Sequence, residues 1–374
     1  MRSPLSPTLA GQYLRFGAAL LAVAFGACTA QTAPRSSSVA GLSTNGLNFE
    51  AGDSINSPLG DYLAGNFALE TGLLAEAATY FERALAKDPD NPDLRRQLFL
   101  LILASGQYDT ALEQAGALAA EDVGVAEAEL LLSLEEVRAG RFGDAHRRLA
   151  AMAAEGVAGL TTPFIDAWVL FAQDQPNALD QALARLGQGE ALGPLNEYHR
   201  AMMLDLSGRL DEASPALAGA MPEAGPAPMR MLQAYASMLA RQGRRDEAIE
   251  IIRQQLADRG EQPVLADLIA SLEADGTPEP PFAGPAGGIA DALLGIAEAL
   301  HQERGNRMAV VYARLAMFAR PDLAEAALLI GDMMAEQDNH DAAIEAYQAV
   351  PPESPLWHLA ELRRARALHD MERQ

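Results

Sequence analysis

From Pro58 onward, apolar and polar positions recur at helical spacing, and no segment alternates convincingly as a strand would. The last segment shows the pattern: Leu359, Leu362, Ala365 and Leu368 share one expected inward face, with Glu361, Arg363, Arg364 and Arg366 outward. Upstream, helix-length blocks are separated by glycines that lie on one ruler. Gly106 follows Gly72 by 34 residues, Gly140 follows Gly106 by 34, and Gly208 follows Gly140 by 68. Five residues after each stands an alanine: Ala77, Ala111, Ala145 and Ala213. The pattern predicts an all-α chain of paired helices with a period of 34.

The first unit, Pro58 to Pro89, is the most regular. It carries Gly65, Gly72, Ala77, Phe81, Ala84 and Pro89. Small residues at 65 and 77 let two helices approach closely, and Phe81 fills the wedge between them. Gly72 supplies a left-handed turn at little steric cost. Pro89 stops the second helix. This set resembles the tetratricopeptide repeat family, and the resemblance runs over 58–374. It implies a right-handed superhelical solenoid of antiparallel helix pairs, a non-enzymatic function and protein partners.

The organisation expected is a signal peptide over 1–27, a disordered tether over 28–57, an array of about six repeats over 58–274, a Pro/Gly-rich loop over 275–289, and two further repeats with a terminal helix over 290–374. Asp174 replaces the turn glycine of the fourth unit, Pro215 is expected to kink or shorten its helix, and Pro222–Pro228 reads as a loop. The terminal helix reads either as a cap or as the first half of a pair whose second helix is missing from a fragment.

Arg2 and Arg15 precede the apolar run Phe16–Ala27, which is too short to span a membrane comfortably. A positive flank, a short apolar stretch and small residues describe an export signal. Phe25-Gly-Ala-Cys28 resembles a bacterial lipoprotein processing site, although leucine is usual where Phe25 stands. That resemblance implies lipidation of Cys28 and a periplasm-facing, membrane-anchored protein. Ordinary cleavage after Ala30 and an uncleaved anchor are the alternatives.

A net charge of −23 argues against nucleic acid as a partner. Cys28 is the single cysteine and lies in the export signal, so the chain offers no nucleophile of that kind and no intramolecular disulfide. The six histidines, His146, His199, His301, His340, His358 and His369, show no metal-ligand spacing and read as surface residues. No cofactor and no small-molecule substrate are expected.

In the tetratricopeptide register, the first helix of each unit lines the binding face. The candidate groove residues are Tyr62, Asn66, Leu100, Leu130, Leu134, Phe164, Trp168, Tyr198 and Met202. They form an apolar, aromatic-rich set suited to an amphipathic helix or apolar peptide. In the later units the same positions turn acidic, with Asp291 and Glu298 among them. Some members of the family clamp a terminal carboxylate with paired lysines, asparagines and an arginine. Asn66 matches one such position, but Tyr62, Gln97, Glu127 and Leu131 stand at others, so that mode is not expected. The function expected is a protein–protein scaffold of the bacterial cell envelope. The alternative is an accessory or substrate-presenting subunit of an envelope enzyme or assembly machine.

Overall fold

The computed structural model describes residues 58–372, apart from 71–72, 122, 154, 174, 176, 187–192, 223–226, 260–262 and 275. The export signal, Cys28 and the 28–57 tether lie outside the described residues, as do Gly72 and Asp174. Every regular element among the described residues is an α-helix. They group into two compact units, Met1–Ala128 with Glu336–Asn339, and Glu129–Ala335 with His340–Gln374.

In the first unit, α1 (Pro58–Glu70), α2 (Leu74–Lys87), α3 (Pro92–Ala104) and α4 (Tyr108–Ala120) pack in chain order. A Cβ at Gly65 would lie 2.9 Å from the Phe81 ring, so the missing side chain is what lets α1 and α2 close. Ala77, Phe81 and Ala84 are fully buried at this contact. Asp61 is buried too, and Arg83 (2.9 Å) and Lys87 (2.6 Å) from α2 neutralise it. Asn91 caps α3 by accepting from the backbone N–H groups of Asp93 and Leu94, with Pro92 opening the helix.

A fifth helix, α5 (Ala126–Arg138), leads into the second unit. There α6 (Phe142–Ala151), α7 (Gly156–Phe171), α8 (Ala178–Leu186), α9 (Gly193–Leu206), α10 (Leu210–Ala220), α11 (Met229–Arg241), α12 (Arg245–Arg259) and α13 (Pro263–Glu273) each pack on the next. The series resumes with α14 (Gly284–Gln302), α15 (Asn306–Ala319), α16 (Ala324–Ala335), α17 (His340–Gln348) and α18 (Trp357–Met371). Arg148 of α6 ties Glu129 and Glu136 of α5 at 2.8 Å each.

The turn ruler holds and extends. Gly106, Gly140, Gly208 and Gly243 have φ between 71° and 79°, the left-handed region. Arg304 (φ 62°) and Asp338 (φ 58°) continue the series without glycine. Five residues after each stand Ala309 and Ala343, both fully buried like Ala111, Ala145 and Ala213. Gly331 and Tyr347 repeat the relation of Gly65 and Phe81, 16 residues apart in both.

Three expectations change. Helix α14 begins at Gly284, so the Pro/Gly-rich loop ends at Ala283 rather than at 289. Ala283 is extended and Pro285 lies in the first turn, where its missing N–H costs nothing. Pro215 is accommodated inside α10, which ends after 11 residues. Helix α18 is rotated from its expected orientation: Leu359, Leu362, Ala365 and Leu368 are exposed, and Ala360 and Ala367 are buried. The two alanines permit a close approach to α17, while Arg363 pairs with Asp332, whose other oxygen accepts from the Tyr347 hydroxyl at 2.8 Å.

Candidate functional site

The first helices of three successive hairpins, α7, α9 and α11, touch one another side by side. They form a wall, and its sequence explains its character. Positions 161, 164, 165 and 168 of α7, and 198, 199, 202 and 205 of α9, recur at helical spacing and are all buried.

What buries them is another part of the same chain. Helix α14 lies against α7 and α9, far from its own neighbours in sequence. A side chain at Gly288 would overlap the Trp168 indole, so glycine there is the condition for contact. Phe282, just before the helix, stands edge-on to Trp168 with centroids 5.6 Å apart. Leu195 and Arg230 approach Gly295, Arg230 to 3.1 Å from where its Cβ would be.

A polar cluster forms where α14 crosses the wall. The Trp168 Nε1–H donates to His199 Nδ1 at 3.2 Å, which leaves Nε2 of a neutral imidazole carrying the proton. That nitrogen lies 4.0 Å from Asp291 Oδ2. Arg230 places Nε 3.5 Å from Asp291 Oδ1 and holds Glu298 at 2.8 Å. Burial, then the charge of Arg230, pushes His199 down to about 3, so it is uncharged at neutral pH. Burial pushes Asp291 up to about 6 even though Arg230 pulls the other way. Burial and then Asp291 raise the Tyr198 phenol well above its usual range.

The candidate groove residues divide accordingly. Phe164, Trp168 and Tyr198 converge on His199, with ring centroids 5.4, 6.0 and 5.1 Å away. With Met202 they are at most 2% exposed, so none is open surface in this structure. Leu100, Leu130 and Leu134 are buried as well. Tyr62 and Asn66 remain half-buried: Tyr62 packs edge-on to Phe81 at 5.8 Å, and the Asn66 amide donates to the Tyr62 carbonyl at 3.0 Å. Around them α1 exposes Leu59, Leu63 and Phe67, a stripe at every fourth residue that is 59–67% exposed.

His199 is a correction. It is completely buried rather than a surface residue, and His340 is buried too. No spacing in the sequence links His199 to Arg230 or Asp291. The available signal was that Asp291 and Glu298 occupy first-helix register positions in an otherwise apolar array. A second polar group joins α6, α7 and α8, where buried Asp166 is held by His146 (2.6 Å) and Arg185 (2.8 Å) beside an open depression of about 470 Å³. Its charges are mutually satisfied. Among the described residues no cluster of His, Cys, Asp or Glu is arranged to hold a metal ion, and no helix is long and apolar enough to cross a membrane.

Residues 68–134 match a family profile described as tetratricopeptide repeat. That segment therefore consists of tetratricopeptide repeats, and they suggest a protein–protein interaction scaffold. No curated protein matches the chain. Among solved structures, similarity is found to the Naa15/Naa10 complex bound to HypK-THB (13% identity, 85% of this chain and 58% of that one, TM-score 0.34). It is also found to TTC0263, a tetratricopeptide protein of Thermus thermophilus (21% identity, 58% and 100%, TM-score 0.24), and to the tetratricopeptide domain of P58(IPK) (12%, 86% and 91%, TM-score 0.24). The chain spans 58% of the length of the first of these, and at such identities and TM-scores they carry no functional argument.

Proposed function

We propose that this chain is a non-enzymatic protein–protein interaction scaffold of the bacterial cell envelope, exported by residues 1–27 and held at a membrane through a lipid on Cys28. The tetratricopeptide match over 68–134 supports the scaffold reading. The export-signal pattern ending at Cys28 supports the address. The partner engaged is an amphipathic helix or apolar peptide, and its contact surface begins on α1. One observation carries this placement. The first-helix residues of the second unit are covered, whereas α1 presents Leu59, Leu63 and Phe67 to solvent beside half-buried Tyr62 and Asn66. A contiguous exposed apolar stripe marks an interaction surface more often than isolated apolar residues do.

Two measurements test the two halves of the reading. A photo-crosslinking amino acid at Phe67, compared with one at exposed Glu113, should trap a discrete partner band in envelope extract at 67 and none at 113. Equal trapping at both positions would remove the placement. Metabolic labelling with a palmitate analogue should mark the parent chain and leave Cys28→Ser unlabelled. An unlabelled parent would remove the anchor.

A further inference from the structure

The contact between α14 and the wall is unlike an ordinary core contact. The face of α14 that meets the wall is Gly288, Asp291, Gly295 and Glu298, a stripe spaced i, i+3, i+7, i+10. It offers two glycines and two carboxylates, where a helix committed to a core would offer large apolar side chains. Four buried polar atoms at this one contact make no well-formed hydrogen bond: the Tyr198 hydroxyl, His199 Nε2, Arg230 Nε and Asp291 Oδ2. Buried polar groups are ordinarily satisfied, so a cluster of shortfalls marks a contact held below its best attainable energy. The segment joining α13 to α14 contains Pro278, Pro280 and Pro281 and forms no regular element over 276–283.

We infer that α14, with α15 paired to it, is a displaceable occupant of the α7–α9–α11 wall, and that the wall's external ligand is a partner helix with glycine against Trp168 and carboxylates three and ten residues later. Trp168 acts as the gauge that admits only glycine. Arg230 reads both carboxylates, and His199 and Tyr198 flank the first. Release of α14 exposes Phe164, Trp168 and Tyr198, so the chain keeps its own apolar wall covered until a better-matched helix takes its place. The charged and titratable groups facing Asp291 are Tyr198 and His199 from α9, Arg230 from α11, Glu298 from α14 itself and Arg320 beyond α15. Burial discourages charge on both Asp291 and His199, which agrees with an imperfectly compensated contact. The scaffold reading supplies the reason for such a device, but the two stand or fall on different measurements.

The test uses the full chain and a fluorescein-labelled synthetic peptide of residues 284–302 as the probe, read by anisotropy. The parent protein should bind it negligibly, because its own α14 fills the site. Gly288→Leu expels the resident helix by overlap with Trp168 and should bind the probe at least tenfold more tightly than the parent, with helical circular dichroism retained. A probe with Asp291→Ala should lose that gain by tenfold or more. Glu298→Arg, which turns the Arg230 attraction into repulsion without crowding the core, is the second variant and should also open the site. Should Gly288→Leu fail to fold, Glu298→Arg decides. A folded, opened variant that ignores the probe, or a parent that binds it as well as the variants do, overturns the inference and leaves the crosslinking and lipid-labelling tests standing separately.

Discussion

Replacing Asp291 by asparagine should change how stability depends on pH, and the sign follows from the cluster. The folded chain holds the Asp291 proton up to about pH 6, against 3.8 for the same group in water. Its contribution is therefore fully present below pH 3.8 and is lost as pH rises towards 6. His199 works in the opposite direction. It titrates at about 3 when folded against 6.5 in water, so its contribution is complete above 6.5 and is lost as pH falls. Between pH 4 and 6 the two slopes oppose each other in the parent chain, and Asp291→Asn removes one of them. A difference of about 2.2 pH units between folded and unfolded states corresponds to about 3 kcal/mol, at roughly 1.4 kcal/mol per unit. The stability of Asp291→Asn relative to the parent should accordingly rise by about 3 kcal/mol from pH 4 to pH 7. Urea denaturation at half-unit pH intervals, followed by far-ultraviolet circular dichroism and tryptophan emission, measures this. The subtraction cancels every other carboxylate and histidine that titrates in the window. A difference that stays flat, or one that falls with pH, would refute the burial and ion-pair geometry on which the cluster was read.

Arg304 sits in the left-handed region with its side chain exposed, so Arg304→Gly should stabilise the chain by about 1 kcal/mol in the same assay, and Asp338→Gly by less, because Asp tolerates that conformation better. Gly331→Ala drives a methyl into the Tyr347 ring and should cost about 1–3 kcal/mol, read as a lower denaturation midpoint. Arg241 grips buried Asp205 with two 2.6 Å hydrogen bonds; Arg241→Ala strands that carboxylate and should cost about 2–3 kcal/mol, while Arg241→Ala with Asp205→Leu should recover much of the loss.

The periodic part of the fold was legible because each recurring residue does one local task. A left-handed turn needs glycine, and a tight hairpin needs alanine five residues on; both requirements are written at fixed positions. The ruler faltered at Arg304 and Asp338 because those turns accept strain that glycine would have avoided, and strain leaves no mark in composition. The start of α14 was misplaced because Gly284, Gly287 and Gly288 signal a loop by propensity, whereas a helix packed this closely on an indole selects glycine for its lack of volume. The groove residues were correctly gathered as one set around His199, but their exposure was not readable. Whether a lining residue faces water depends on α14, more than 100 residues downstream of Trp168, and local spacing carries no information about so distant a partner. The inversion of α18 has a similar cause: an Arg363–Asp332 ion pair and two alanines outweighed a leucine stripe.

The fit of Gly288 on Trp168 also bears on how such a chain can change over evolutionary time. Arrays of like units usually grow and shrink by duplicating or dropping one, because each unit answers only to its neighbours. Here a loss or gain of 34 residues anywhere between Phe171 and Gly284 would carry the glycine to a different height along the stack and strand the indole against the wrong rung. That stretch is thereby fixed in length, while copies added beyond α18 would meet no such restriction.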